Sequence, residues 1–140
     1  MNTVETAEPR TLPVKQENIV TLPLGLLGFE PIKKYALLGL PGEEPFMWLQ
    51  MLDDRGQGFV VVSPAAILPS YAPDIAPQDV EFLGIQAAAD AIVLNIVTVR
   101  PGGETTINLK GPIVINRHTL VGKQCIPANV SAFPWSCPSQ

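Results

Sequence analysis

The sequence predicts an all-β domain, with a mostly antiparallel, barrel-like or pseudo-barrel sheet and one short helix. Three observations lead to this prediction. Short alternating or β-branched runs recur at spacings of roughly 8–14 residues, as they do in antiparallel sandwiches and barrels. Turn-forming residues separate these runs, with 15 Pro and 11 Gly among 140 residues. Persuasive helix signals occur in a single short segment.

Four strands are predicted before that helix, and each is ended by turn residues. They cover 17–22, stopped by Pro23; 35–40, ended by Pro41-Gly42; 46–52, ended by Asp53-Asp54-Arg55-Gly56; and 59–62, closed by Pro64. Between the first two strands, Gly25 and Gly28 stand three residues apart before Phe29-Glu30-Pro31. Such a glycine pair next to a proline indicates a tight turn with special backbone dihedrals.

The predicted helix lies at 77–84 and follows an irregular loop over 69–77, whose third proline is Pro77. Pro77 stands in its first turn, Asp79 lies near its start and Gly84 closes it, which is the usual order of helix-start and helix-stop residues. Val80 and Leu83 are three residues apart, so one face of these one or two turns could pack inward.

The strongest strand follows at 91–99, where a long β-branched run opposes a helix. Further strands are predicted at 105–109 and 113–115, with Lys110-Gly111-Pro112 as a bulge or corner between them, and a partly alternating one at 118–124. We expect a single domain over 1–140, with an ordered core of about 12–126, an N-terminal tail over 1–11 and a proline-rich C-terminal segment over 127–140.

Composition excludes several classes of protein. Thirteen acidic and nine basic residues give a formal charge of −4, which argues against a surface built to grip phosphates. Two cysteines are too few for a disulfide scaffold or a four-thiolate zinc site. Glu5 and Glu8 stand where a signal peptide needs basic residues, so we expect a cytoplasmic protein without membrane contact, in which both cysteines stay reduced.

The chain offers little for catalysis. His118 is the only histidine, and its spacing from Cys125 places the two side chains on opposite faces of a straight strand. The adjacent acids Asp53 and Asp54 likewise point apart on an extended chain. No phosphate-binding glycine motif or metal-ligand spacing is present in the sequence. We therefore expect no enzyme activity, no cofactor and no metal.

What remains is surface for a partner, and the residues alone leave several interpretations open. Phe46, Trp48 and Tyr71 are residue types that interfaces favour, although in strands they are more often core. The domain could be a generic β-barrel interaction module. It could also be a small-molecule-binding barrel with Met47 and Trp48 in its cavity.

Several motifs nevertheless resemble one family. Gly25-Leu26-Leu27-Gly28-Phe29-Glu30 is similar to the glycine-turn motif of the bacterial flagellar assembly factor FliW, in which a proline usually stands at the position of Leu27. Similar blocks follow in order at 46–50 with Asp53-Asp54, 59–64 with Tyr71, 94–99, 108–116 and 122–124. Together they span about 19–126. The chain departs from the pattern at Pro127, and the Phe133 to Trp135 ending has no counterpart.

The resemblance implies a non-catalytic, β-barrel-like partner switch that is monomeric when free. Such proteins bind newly made flagellin in the cytoplasm, near its terminal helical region, and also bind the translational repressor CsrA away from its RNA-binding surface. Flagellin occupies the factor until it is exported. The freed factor then antagonises CsrA, and flagellin synthesis resumes without direct contact between the factor and nucleic acid.

Six residues are candidates for partner contacts under this interpretation. We expect Glu30, Asp53 and Asp54 to supply negative charge toward a basic RNA-binding regulator, which favours fast, salt-dependent association. Closer contacts are expected from Tyr35, Gln50 and Tyr71. A flagellin helix is expected to dock in an apolar groove.

Overall fold

A computed structural model describes residues 18–52, 57–66, 68, 70–99, 101–132 and 136–138. Within these ranges the chain forms nine strands and one α-helix. In chain order they are β1 (Ile19–Thr21), β2 (Lys34–Gly39), β3 (Phe46–Met51), β4 (Gly58–Val62), α1 (Pro77–Leu83), β5 (Ala91–Val99), β6 (Thr105–Asn108), β7 (Ile113–Asn116), β8 (Gly122–Gln124) and β9 (Ser136–Pro138). Single 3-10 turns occur at Pro64–Ala66, Ala88–Asp90 and Val130–Ala132.

The strands form an antiparallel sheet in the order β1-β2-β3-β4-β5-β6-β9, from which β7 branches at β5 and β8 follows β7. Strand β5 belongs to both branches of the sheet, since its first half pairs with β7 and its second half pairs with β6. The corner at 110–112 carries the chain from β6 to β7. The backbone N–H of Thr21 donates to the carbonyl of Leu120 at 2.9 Å and nearly closes the barrel. The predicted fold class is confirmed.

The main core lies inside this barrel, where β2, β3, β4, β5 and β7 contribute fully buried side chains. Phe59 is buried there, and Phe29 meets it edge to face with ring centroids 5.3 Å apart. A second cluster lies on the other face of β2 and β3, where Trp48 packs with Ala36 and Leu38. Strands β2 and β3 are therefore covered on both faces.

Helix α1 forms where the sequence predicts it. Pro77 occupies its first turn, and Gly84 closes it in the left-handed conformation with φ 69°. The N–H of Gly84 donates to carbonyls of the last turn. Leu83 anchors the helix to Val114 and Cys125 in a separate buried cluster.

The predicted strand at 118–124 is shorter in the structure, because a turn occupies its first half. The side-chain oxygen of Asn116 accepts the backbone N–H groups of His118 at 2.8 Å and Thr119 at 3.3 Å. Leu120 then takes a positive φ of 59°. Regular pairing with β7 therefore starts only at Gly122.

Two short elements lie in the proline-rich segment that follows residue 126. After β8, the backbone turns through Val130–Ala132 and returns as β9, which pairs with β6. The predicted N-terminal tail over 1–11 lies outside the described residues. Phe133 and Trp135 also lie outside them.

Candidate functional site

The glycine turn after β1 has a shape that only glycine permits at its first position. Gly25 has a φ of 70°, and a Cβ there would lie 2.5 Å from the backbone oxygen of Glu30. The N–H of Phe29 donates to the carbonyl of Leu26 at 2.7 Å and closes the turn. As a result Leu26 enters the core, whereas Leu27 is 80% exposed.

Gln124 joins this turn to the corner between β6 and β7. Its side-chain oxygen accepts the backbone N–H of Leu27 at 2.9 Å. Its side-chain nitrogen donates to the carbonyl of Gly111 at 3.2 Å. One glutamine therefore sets the distance between two loops that are remote in sequence.

An open apolar cleft of about 530 Å³ lies between these two loops. Its walls come from the glycine turn, the end of β6 with the corner that follows it, β8 and the segment after β8. The exposed apolar side chains in these walls are Leu24 (54%), Leu27 (80%) and Ile126 (65%). We call this feature the turn cleft.

Charged side chains at the turn cleft are held in place by the backbone. The carboxylate of Glu30 accepts the N–H of Gly28 at 3.1 Å. Hydrogen bonds from the backbone N–H groups of Glu30 and Gly28 lower the pKa of Glu30, so it carries a negative charge at neutral pH. The ammonium of Lys110 donates to the carbonyl of Val130 at 3.1 Å.

The structure describes four of the six predicted contact residues, and one of these four lines the turn cleft. Glu30 lies in its wall. Tyr71 is half-buried, and its hydroxyl donates to the carbonyl of Leu109 at 2.7 Å, while burial raises its pKa. Gln50 lies half-buried in β3, and neither it nor Tyr71 lines the cleft. Asp53 and Asp54 lie outside the described residues.

The prediction for Tyr35 needs a correction. Its side chain is 0% exposed and belongs to the main core cluster. A residue without exposed surface cannot contact a partner directly, so Tyr35 has a packing role. The sequence could not reveal this, because Tyr35 and the next residue, Ala36, are both fully buried on opposite faces of β2.

Sequence reasoning missed most of the residues that form the turn cleft. Leu24 and Ile126 were not candidates, and Leu27 was noted only as part of a motif. One signal was available: two leucines flank Gly25-Leu26 in a tight turn, and a turn of that size cannot bury all of its apolar side chains. Ile126 reaches the cleft through tertiary structure alone.

A second, smaller cleft of about 360 Å³ lies beside α1. Ile75, Val80, Ile85 and Val93 line it, together with alanines near the 3-10 turn Ala88–Asp90. Phe82 projects from α1 with 48% exposure but lines neither cleft.

The described residues offer no group of three or more His, Cys, Asp and Glu side chains that could hold a metal ion. The ion pair between Lys123 and Asp79 is largely buried and joins β8 to α1. Of the helices in the described ranges, none has the length and apolarity needed to cross a bilayer.

Comparison with known proteins gives a consistent result. The family model for the FliW protein matches residues 3–137. The chain is 38% identical over 127 residues to the flagellar assembly factor FliW of Leptospira biflexa, covering 89% of this chain and 82% of that protein. It is 41% identical over 121 residues to the FliW of Leptospira interrogans, covering 84% and 80%. A crystal structure of a flagellar assembly factor FliW superimposes with a TM-score of 0.78 at 31% identity, covering 97% of this chain and 95% of that one.

Proposed function

The chain belongs to the FliW family of flagellar assembly factors, and on this premise we propose that it is a non-catalytic partner switch in the cytoplasm. In this proposal it binds flagellin while flagellin awaits export. Once flagellin has left, the free protein binds a CsrA-type translational repressor and antagonises it. Flagellin synthesis is thereby derepressed.

The observation that carries the proposal is the position of the exposed apolar side chains. Among the described residues four large hydrophobic side chains are exposed, and three of them, Leu24, Leu27 and Ile126, line the turn cleft. Single exposed leucines are ordinary on protein surfaces. A cluster of them around a concave apolar surface is typical of a protein-binding site.

The chemistry of the cleft suits a helical ligand. An amphipathic helix presents apolar side chains at positions i, i+3, i+4 and i+7, and such a row fits an apolar groove. The ionised carboxylate of Glu30 lies in the wall of this cleft and would face polar or basic side chains beside that row. We therefore assign the turn cleft to the terminal helical region of flagellin.

Electrostatic attraction is proposed to contribute more to the binding of the repressor than to the binding of flagellin. The net charge of −4 attracts a basic RNA-binding protein and speeds its association. Glu30, Asp53 and Asp54 remain the candidates for this charge. Gln50 and Tyr71 remain candidates for closer contacts.

The flagellin site is tested by calorimetric titration of purified flagellin into Leu27→Ser and Ile126→Ser variants. Each substitution removes an exposed apolar side chain from the cleft, and we expect binding to weaken by about tenfold or more, as for truncation of an interface anchor. Phe82→Ser is the matched control, because it removes a similarly exposed apolar side chain outside the cleft. Unchanged binding by both cleft variants would overturn the assignment.

The switch itself is tested by adding CsrA and flagellin singly and together. Mutual exclusion would support switching, whereas failure of the wild-type protein to bind either one would overturn the proposal. Reversing the charges of Asp53 and Asp54 should mainly slow association with CsrA. Stopped-flow mixing at two salt concentrations measures this, and unchanged rates would remove those acids from the site.

The packing of Met47 and Trp48 favours the partner switch over a small-molecule-binding barrel with these two residues in its cavity. Trp48 is fully buried in a cluster with Ala36 and Leu38. Met47 packs against the main core. Neither residue lines the turn cleft or the smaller cleft beside α1.

A further inference from the structure

The segment that follows β8 forms one wall of the turn cleft. It comprises residues 126–132, and we call it the C-terminal strap. Ile126 and Val130 of the strap line the cleft together with Leu24 and Leu27 of the glycine turn. Ile126 is 65% exposed, so contacts of its side chain contribute little to the position of the strap.

A side-chain clamp holds the strap to the loop that precedes α1. The side-chain oxygen of Asn129 accepts the backbone N–H of Asp74 at 2.8 Å, and its nitrogen donates to the carbonyl of Ala72 at 3.0 Å. The backbone N–H of Ala128 adds a third bond, to the carbonyl of Asp74, at 2.7 Å. An amide is suited to this position because it donates and accepts at once.

The clamp sits between the two cleft-lining residues of the strap. Asn129 directly precedes Val130, whose carbonyl accepts from the ammonium of Lys110 at 3.1 Å. Ile126 lies three residues before Asn129 and is connected to it through the buried Pro127. The two hydrogen bonds of the Asn129 side chain therefore act, with those of Ala128 and Val130, on the stretch of backbone that carries both apolar side chains.

We propose that Asn129 is a positioning residue for partner binding: its amide holds the C-terminal strap so that Ile126 and Val130 form the wall that an apolar helix packs against. The residue does not line the cleft and acts through the strap. This inference rests on the proposed function, since it concerns the same cleft.

The test compares Asn129→Ala in three backgrounds by calorimetric titration with flagellin. In the wild-type background the loss of two hydrogen bonds should weaken binding by about fivefold or more. In an Ile126→Ser background the wall contact is already missing, so Asn129→Ala should add much less. In a Leu24→Ser background, where a lining residue outside the strap is altered, the full effect should remain. An equal effect in all three backgrounds would mean a general loss of stability and would overturn the proposal.

Two readouts without flagellin separate this inference from the proposed function. Amide hydrogen exchange in free Asn129→Ala should rise at Asp74 and Ala128, whereas exchange in β2 and β3 stays unchanged. Fluorescence of the apolar dye anilinonaphthalene sulfonate should fall in Leu27→Ser, which shows that it reports the cleft, and should also fall in Asn129→Ala. If flagellin does not bind but the exchange and dye results are as expected, the proposed function fails and the clamp stands. Unchanged exchange at Asp74 overturns the clamp.

Discussion

The side-chain oxygen of Gln124 accepts the backbone N–H of Leu27 at 2.9 Å, although the two residues are 97 positions apart in the sequence. The same amide donates to the carbonyl of Gly111 at 3.2 Å. One side chain therefore satisfies a donor in the glycine turn and an acceptor in the β6–β7 corner. Because Leu27 and Gly111 lie in walls of the turn cleft, Gln124 helps to define the shape of that cleft.

Replacing this glutamine should lower the stability of the protein. We expect Gln124→Ala to lower the free energy of unfolding by about 1–3 kcal/mol, since two hydrogen bonds are lost. Urea denaturation measures this. Gln78→Ala, at an exposed position on α1, is the control and should change the free energy by less than about 0.5 kcal/mol. Equal stabilities of the two variants would show that water replaces Gln124 without penalty.

Three glycines allow backbone strain to be separated from steric overlap. Gly25 has a φ of 70° and no room for a Cβ, whereas Gly28 has a φ of 89° with open space around it. Gly39 has open space and no positive φ.

Alanine substitutions at these positions should follow that order in urea denaturation. Gly39→Ala should change the free energy of unfolding by less than about 0.5 kcal/mol. Gly28→Ala should lower it by about 1–2 kcal/mol, the cost of a left-handed conformation for a residue with a Cβ. Gly25→Ala should lower it by more than that, because the turn must also open. A Gly25→Ala variant as stable as Gly28→Ala would contradict the close approach of the Glu30 backbone to Gly25.

Local sequence patterns predicted most of the strands, whereas the remaining strand depends on tertiary contacts. Strand β5 was predicted with its observed bounds because six of its nine residues are β-branched. Strand β9 was missed, since Ser136–Pro138 has no strand signal and pairs only because the strap returns it to β6.

The candidate site divides in the same way. The glycine turn follows from the spacing of Gly25 and Gly28, so Glu30 was placed at a loop correctly. Ile126 and Val130 join the turn cleft only after the chain has folded back, and no periodicity marks them. The error at Tyr35 arose because strand alternation distinguishes two faces but cannot show that both are buried.

Cys125 should be inert in the folded protein. It is 1% exposed, and burial, with the nearby charge of Asp79, raises its pKa to about 12. Reaction with thiol reagents needs the thiolate, so we expect very slow labelling at neutral pH and fast labelling in urea. The measurement uses a Cys137→Ser variant, so that the signal comes from Cys125 alone. Rapid labelling under native conditions would contradict the burial of this side chain.

Asp90 gives the protein a component of stability that depends on pH. One carboxylate oxygen lies 2.9 Å from Nε2 of His118. The other oxygen accepts the backbone N–H groups of Gln86 at 3.2 Å and Ala87 at 3.0 Å. The hydrogen bond from His118 and then those from the two backbone groups lower the pKa of Asp90.

The sign of the effect follows from linkage. The folded state favours the carboxylate, and an unfolded Asp titrates near a pKa of about 3.9. The stabilisation is therefore fully present above that pH and is lost as the pH falls through the lowered folded pKa. Asp90→Asn removes the titration, so we expect the difference in free energy of unfolding between wild type and variant to be constant at neutral pH and to shrink below about pH 4. Urea denaturation across this range measures it, with Glu104→Gln as the control for removing an exposed carboxyl elsewhere. If the difference in free energy of unfolding stayed constant down to the lowest pH measured, Asp90 would titrate alike in the folded and unfolded chains.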